Sequence, residues 1–212
     1  MTIIRQGGGN ALTGMIGGIV IAERNGKPYY RRAPQREVKN SWTPKQLLHR
    51  QRFQRVNQFC NLFKHSLIPQ IWNYEAVIMS GYALFLKTNM PAFAKDGSIE
   101  DVKKLILSTG KLLLPPDLLA VRSASDTASI EVNWTEESHI LGQRLSDELM
   151  VVSAADSHYS EITQTGIKRG DLQGTFVLPL LRPFPGTHIY LMFTSKDRRD
   201  YSPSACFELS ER

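Results

Sequence analysis

The sequence predicts an α+β chain: a β-hairpin and helices over residues 1–114, followed by an all-β sandwich over residues 115–212. Three observations predict it. Short β-prone segments recur at sandwich spacing after Pro115-Pro116. Apolar residues recur at helical spacing from Leu48 to Leu67. Asn25-Gly26 sits between two strand-like segments, and such a pair signals a hairpin because a type I′ turn needs φ > 0 twice. With 212 residues, 42% of them hydrophobic, the chain can bury a sizeable core in one large domain or two small ones.

Residues 7–18 are glycine-rich and carry two readings, a flexible tail or an extended arm that adds a strand to a neighbour. Ile3, Ile4, Leu12, Met15 and Ile16 give such an arm something to bury and favour the second reading, a subunit contact. Ile19–Ala22 and Pro28–Arg32 form the two hairpin strands. An isolated hairpin is marginal in water, so this one must dock on something.

Thr43 then reads as an N-cap, with Pro44 in the first helical position and Gln46 completing a capping box. This helix is predicted to reach Leu67, burying Leu48, Val56, Phe59, Cys60, Phe63 and Leu67. One or two further helices follow over 70–88, with Gly81 a weak point and Met90-Pro91 ending the pattern. Asp96-Gly97 marks a turn, and Ile99–Leu107 suits a helix or a strand equally. Seven strands are predicted after the two prolines: Leu118–Arg122, Ala128–Trp134, Glu148–Ser153, His158–Thr163, Gly174–Leu180, Thr187–Thr194 and Ser204–Leu209.

Charge is unevenly placed. Residues 1–66 hold twelve basic and two acidic side chains, a net +10, while the remainder holds fourteen basic and eighteen acidic, a net −4. Arg31, Arg32, Arg36, Lys39, Lys45, Arg50, Arg52 and Arg55 are the candidate contact residues for an anionic partner. Cations in the first turns of a helix oppose its macrodipole, so their crowding there points to a function. Arginine binds phosphate in bidentate, salt-sensitive fashion, and Tyr29, Tyr30 and Trp42 are interleaved where they could stack on bases. Pairing with acidic residues of the sandwich or of a neighbouring copy, or a plain solvated face, fits the same residues.

Enzymatic chemistry finds no support, and no catalytic residue, metal site or cofactor is predicted. The histidines, His49, His65, His139, His158 and His188, are scattered and form no paired ligand motif. The chain has no G-x-S-x-G elbow, and its triple glycine lacks the G-K-[ST] that holds phosphate. Asp96, Glu100 and Asp101 lack calcium-loop spacing. Cys60 and Cys206 read as two separate buried thiols. No apolar run approaches the ~18 residues of a spanning helix. Residues 1–7 lack a signal-peptide core, which predicts synthesis in the cytoplasm.

Two resemblances add to this. Trp134, the run Leu181-Arg182-Pro183 with Pro185–Tyr190, and Tyr201-Ser202-Pro203-Ser204 resemble the second strand, the approach to the sixth strand and the last turn of immunoglobulin and fibronectin type III domains. The chain as a whole resembles a domain-of-unknown-function family frequent in Bacteroidota and their phages. The matching features, in order, are Gly14-x-x-Gly17, Asn25-Gly26-Lys27 with Arg31-Arg32 and Pro34, and Thr43-x-x-Gln46 with Arg50-x-x-Phe53. Ser80-Gly81-Tyr82-x-x-Phe85 and Ser108-x-Gly110 follow. That resemblance implies a small accessory or phage-like structural protein. The expected function is therefore a non-enzymatic, self-assembling structural protein, a homo-oligomer or subunit of a virion or filament. The alternative is a nucleic-acid-binding accessory protein using the basic 24–55 region.

Overall fold

The structure is a computed structural model and describes residues 3–6, 12–24, 27–34, 42–124, 126, 128–135, 142–155, 158–178 and 186–209. The chain divides into two compact units, Met1–Thr43 and Pro44–Arg212.

The first unit is an antiparallel meander of four strands in chain order: β1 (Ile3–Gln6), β2 (Leu12–Ile16), β3 (Ile19–Arg24) and β4 (Lys27–Arg32). Gly17 and Gly18 join β2 to β3 with φ of 54° and 80°, a two-residue turn that glycine enters without strain. Arg24 pairs with Lys27 across the Asn25-Gly26 position, which itself lies outside the described residues. The sequence predicts a separate arm and hairpin. Instead the arm residues lie in the strands of one sheet: Ile3 pairs with Met15, Gln6 with Leu12, and Ile16 with Ile19. Extending the hairpin within its own chain satisfies backbone groups that a lone hairpin leaves open.

The second unit begins with α1 (Pro44–Leu62). A turn follows, then a wide π turn at Ile68–Trp72, α2 (Asn73–Glu75) and α3 (Gly81–Asn89). The first helix is thus shorter than predicted, because the chain bends at Phe63–Ser66 to lay Leu67, Ile68, Ile71 and Trp72 into the core. Gly81 opens α3 rather than weakening its middle. Ser80 caps the helix, its hydroxyl accepting from the Ala83 N–H at 3.2 Å. A Cβ on Gly81 would stand 2.3 Å from Asn73 Oδ1, so that close approach excludes any side chain.

Residues 99–108 are mostly irregular, with one 3-10 turn at Val102–Lys104. Fully buried Asn89 replaces a neighbouring strand for them. Its side chain accepts from the Ile106 N–H at 2.8 Å and donates to the Ile106 carbonyl at 3.0 Å.

Eight strands complete the unit: β5 (Leu119–Arg122), β6 (Ser129–Asn133), β7 (Glu148–Ala155), β8 (His158–Tyr159), β9 (Thr163–Lys168), β10 (Gln173–Val177), β11 (His188–Thr194) and β12 (Ala205–Glu208). They form two antiparallel sheets, β10-β6-β5 and β12-β11-β7-β8, with β9 also on β7. The seven predicted strands each find a counterpart. Thr163–Lys168 is additional, because β8 and β9 share one edge of β7.

The two sheets enclose a core of Ala120, Ile130, Val132, Trp134, Leu149, Val151, Phe176, Ile189, Leu191 and Phe193. Trp134 Nε1 donates to the Arg169 carbonyl at 3.1 Å, and its ring meets Phe193 edge-on at 5.4 Å. The buried Arg169 guanidinium lies 4.2 Å over the Phe193 ring and 3.8 Å from Asp147. The other face of the larger sheet carries Met150, Val152, Ala154, Tyr190 and Met192. These pack on Val56, Phe59, Phe63, Trp72 and Phe85 of the helical layer.

The boundary predicted at 114/115 therefore does not separate two cores. Helices and sheets share one body, and the division falls at Thr43/Pro44. Pro115 and Pro116 lie inside it, and Leu112 N–H bonds to the Tyr201 carbonyl at 3.0 Å.

Asn89→Ala is expected to cost about 2–3 kcal/mol, since it strands two backbone groups in a part-buried site. A denaturant titration at pH 7, compared with wild type, measures it.

Candidate subunit interface

In an antiparallel sheet, residues paired in register share a face. The first unit therefore has two distinct faces. Ile16, Ile19, Ile21 and Tyr30 lie on one, with Arg32 and Glu23 toward its ends. Met15, Val20, Ala22, Tyr29, Arg24, Lys27 and Arg31 lie on the other. None of the described side chains of this unit is buried. Ile19 is 50% exposed and Tyr30 70%. Each fully buried side chain of this size would contribute about 1.5–3 kcal/mol, so the exposure leaves substantial stabilisation unrealised.

A similar exposure marks the leading half of α1. Residues Pro44–Arg55 include no buried side chain, and Leu47, Leu48 and Phe53 are exposed. The buried stripe Val56, Phe59, Cys60 and Phe63 continues toward the N-terminus through Leu48, Arg52 and Phe53, roughly two turns beyond the last core residue. Leu48 is thus a surface residue rather than the predicted core one, because nothing in the helical layer extends far enough to cover it.

The predicted contact residues separate by place. Arg31 and Arg32 are exposed on opposite faces of β4. Lys45, Arg50 and Arg55 are exposed on α1, while Arg52 turns inward and donates from Nη2 to the Met90 carbonyl at 2.8 Å. Arg36 and Lys39 lie outside the described residues, as do the side chains of Ile3, Ile4 and Leu12. Met15 and Ile16 are exposed on opposite faces of β2.

The second unit also has a cleft of 860 Å³ between α1, residues 93–102 and one end of the larger sheet. Arg55, Phe59, Phe93, Asp96, Tyr159 and His188 are among its walls. Burial pushes the Tyr159 and Tyr190 hydroxyls well above the ordinary phenol range, so both stay protonated at neutral pH. Tyr190 donates its proton to the Val102 carbonyl at 3.0 Å. Among the described residues, no three His, Cys, Asp or Glu side chains gather closely enough to hold a metal ion. No described helix is long and apolar enough to cross a membrane.

Comparison of the chain with protein families, curated proteins and solved structures finds no match.

The resembling motifs that fall in the second unit find structural roles. Tyr82 Oη bonds Asn57 Oδ1 at 2.7 Å, tying α3 to α1, and Phe85 is fully buried. Ser108 Oγ donates to the Ser202 carbonyl at 2.6 Å. A Cβ on Gly110 would stand 2.3 Å from the Tyr201 carbonyl oxygen. These residues hold segments together. The exposed apolar residues of the sheet and of α1 have no such role within their own elements.

Burial pushes the Cys60 thiol up to about 12 and the Cys206 thiol up to about 11. Both stay protonated at pH 8, where only a thiolate reacts. A disulfide reagent is therefore expected to modify the native protein at least tenfold more slowly than the unfolded chain, followed by thiol release against time.

Proposed function

We propose that this chain is a non-enzymatic structural subunit that assembles with copies of itself, in a virion-like particle or filament. The N-terminal sheet and the leading half of α1 form the subunit contacts. The single observation that carries this is the apolar sheet face of Ile16, Ile19, Ile21 and Tyr30, none of them buried. A single-layer sheet gains stability by packing that face on another surface. The second unit would act as the rigid, displayed or laterally packed body. We take it to be an immunoglobulin or fibronectin type III-like sandwich with a helical layer added. Its strand order supports this: β10-β6-β5 lies opposite β12-β11-β7 with β8 and β9 on the last edge.

Light scattering after size exclusion, together with negative-stain microscopy, tests the assembly. The expected result is a mass that rises with concentration and discrete particles. Ile19→Glu should shift the midpoint at least tenfold toward monomer while leaving the melting of the second unit unchanged. A monodisperse monomer at every concentration, with empty grids, would overturn the assembly reading.

A second reading rests on the opposite face of the same sheet. Arg24, Lys27 and Arg31 surround Tyr29 there, a basic platform with one ring for stacking on a base. A nucleic-acid-binding protein of this kind should hold single- or double-stranded nucleic acid at low salt. Lys27→Ala and Arg31→Ala should each lower the slope of log K against log salt by about 1. Absent binding at low salt, or binding insensitive to salt, removes this reading.

A further inference from the structure

The face of the N-terminal sheet that carries Ile16, Ile19, Ile21 and Tyr30 also carries one charge of each sign, and the register fixes where they stand. Strands β3 and β4 lay three rows across it: Ile19–Arg32, Ile21–Tyr30 and Glu23–Pro28. Arg32 thus marks one end of the face and Glu23 the other. The two end rows lie four residues apart along β3, about 13 Å. Neither charged side chain is buried, and among the described residues neither has an ion-pair partner in its own chain. Arg24, Lys27 and Arg31 lie on the opposite face.

A face with an apolar centre and opposite charges at its two ends is complementary to itself once one copy is turned end for end. A twofold axis lying between two such sheets and running across the strands makes that turn. It places the Ile19–Arg32 row of each copy over the Glu23–Pro28 row of the other, and the Ile21–Tyr30 rows meet at the centre. Arg32 of one copy then lies over β4 of the other, with Glu23 one strand spacing to the side. That spacing is about 4.8 Å, within reach of an arginine side chain. An axis along the strands instead stacks each end row on its own counterpart, like charge near like, which repulsion opposes. The remaining cations do not weigh against the first arrangement. Sheets packed face to face lie about 10 Å apart. Arg24, Lys27 and Arg31 are on the far side of each sheet, so the two sets stand farther apart than the roughly 8 Å Debye length.

Building on the assembly reading above, we propose that the N-terminal sheets of two copies pack face to face about this twofold axis, with two reciprocal Arg32–Glu23 pairs across the contact. Such a contact uses the same surface twice and satisfies itself in a dimer. Growth beyond the dimer then falls to the leading half of α1. The basic face around Tyr29 stays open on both outer sides of the pair.

Charge exchange tests it. Glu23→Arg and Arg32→Glu each set like charges opposite one another at both ends. Each is expected to raise the dimer dissociation constant at least tenfold, read by sedimentation equilibrium. Mixed one to one, the two variants should regain wild-type association as a heterodimer, because one face is then wholly basic at its ends and the other wholly acidic. The double variant, Glu23→Arg with Arg32→Glu, should regain it alone. Circular dichroism matching wild type confirms that each variant is folded. If the single variants associate like wild type, or if the mixture or the double variant fails to recover, the symmetric contact is overturned while self-assembly stands. If wild type itself is a monomer throughout, the assembly reading falls, and this one with it.

Discussion

The ladder between β7 and β11 is the interaction on which the second unit depends. Seven residue pairs run from His188–Ala154 to Thr194–Glu148, and nearly every side chain in both strands is buried. Alternation then does two jobs at once. Leu149, Val151, Ile189, Leu191 and Phe193 face the smaller sheet, while Met150, Val152, Tyr190 and Met192 face the helices. A slip of one residue would exchange the two sets and misfit both layers. Buried groups that are not apolar are secured beside this ladder. Burial raises the Asp147 carboxyl, and the nearby Arg144 and Arg169 guanidiniums pull it back. Arg169 lies over Phe193, stands beside Asp147 and donates to the Leu113 carbonyl.

The first unit inverts this arrangement. It has as many strands as a small sheet needs but, among the described residues, no second layer of its own, and its described side chains are all at least partly exposed. Hydrogen bonds along the meander satisfy the backbone, yet they contribute little net stability in water. What remains is an amphipathic ribbon with isoleucines and Tyr30 on one side and cations around Tyr29 on the other. The second unit buries most of its apolar surface, and leaves exposed the outer face of β5, β6 and β10, the leading turns of α1, and Leu62, Tyr74, Val77, Ile78 and Leu113.

Much of this was legible. The Asn-Gly hairpin, the helix start at Pro44, the Asp96-Gly97 turn and the seven sandwich strands follow from short-range chemistry: turn residues, caps and alternation. Their counterparts fall within a few residues of expectation. The double burial of the larger sheet was also written in the sequence, since Leu149–Val152 and Ile189–Phe193 are unbroken apolar runs. Such runs belong to strands covered on both faces, whereas Ser129–Asn133 alternates because one face meets water. A sandwich expectation alone passed over that difference.

The sequence by itself determined the elements and the asymmetry of charge, because propensity, capping and composition act over a few residues. Tertiary structure alone decided which elements share a core. Pro115-Pro116 looks like a boundary locally, but long-range packing of Phe59, Phe63 and Trp72 on Met150, Tyr190 and Met192 joins what lies on either side. It also decided where the cations of α1 point. Arg50 and Arg52 lie two residues apart, and the turn of the helix sends Arg52 to the Met90 carbonyl while Arg50 is exposed. The arm residues gained their place by strand pairing. Glycine-rich chain can be tail or strand, and pairing of Met15 with Val20 and of Ile16 with Ile19 makes it strand. The shared core and the place of Arg52 depend on contacts between residues distant in the chain, which no local signal encodes, whereas the strand pairing of the arm is closed locally by the Gly17-Gly18 turn.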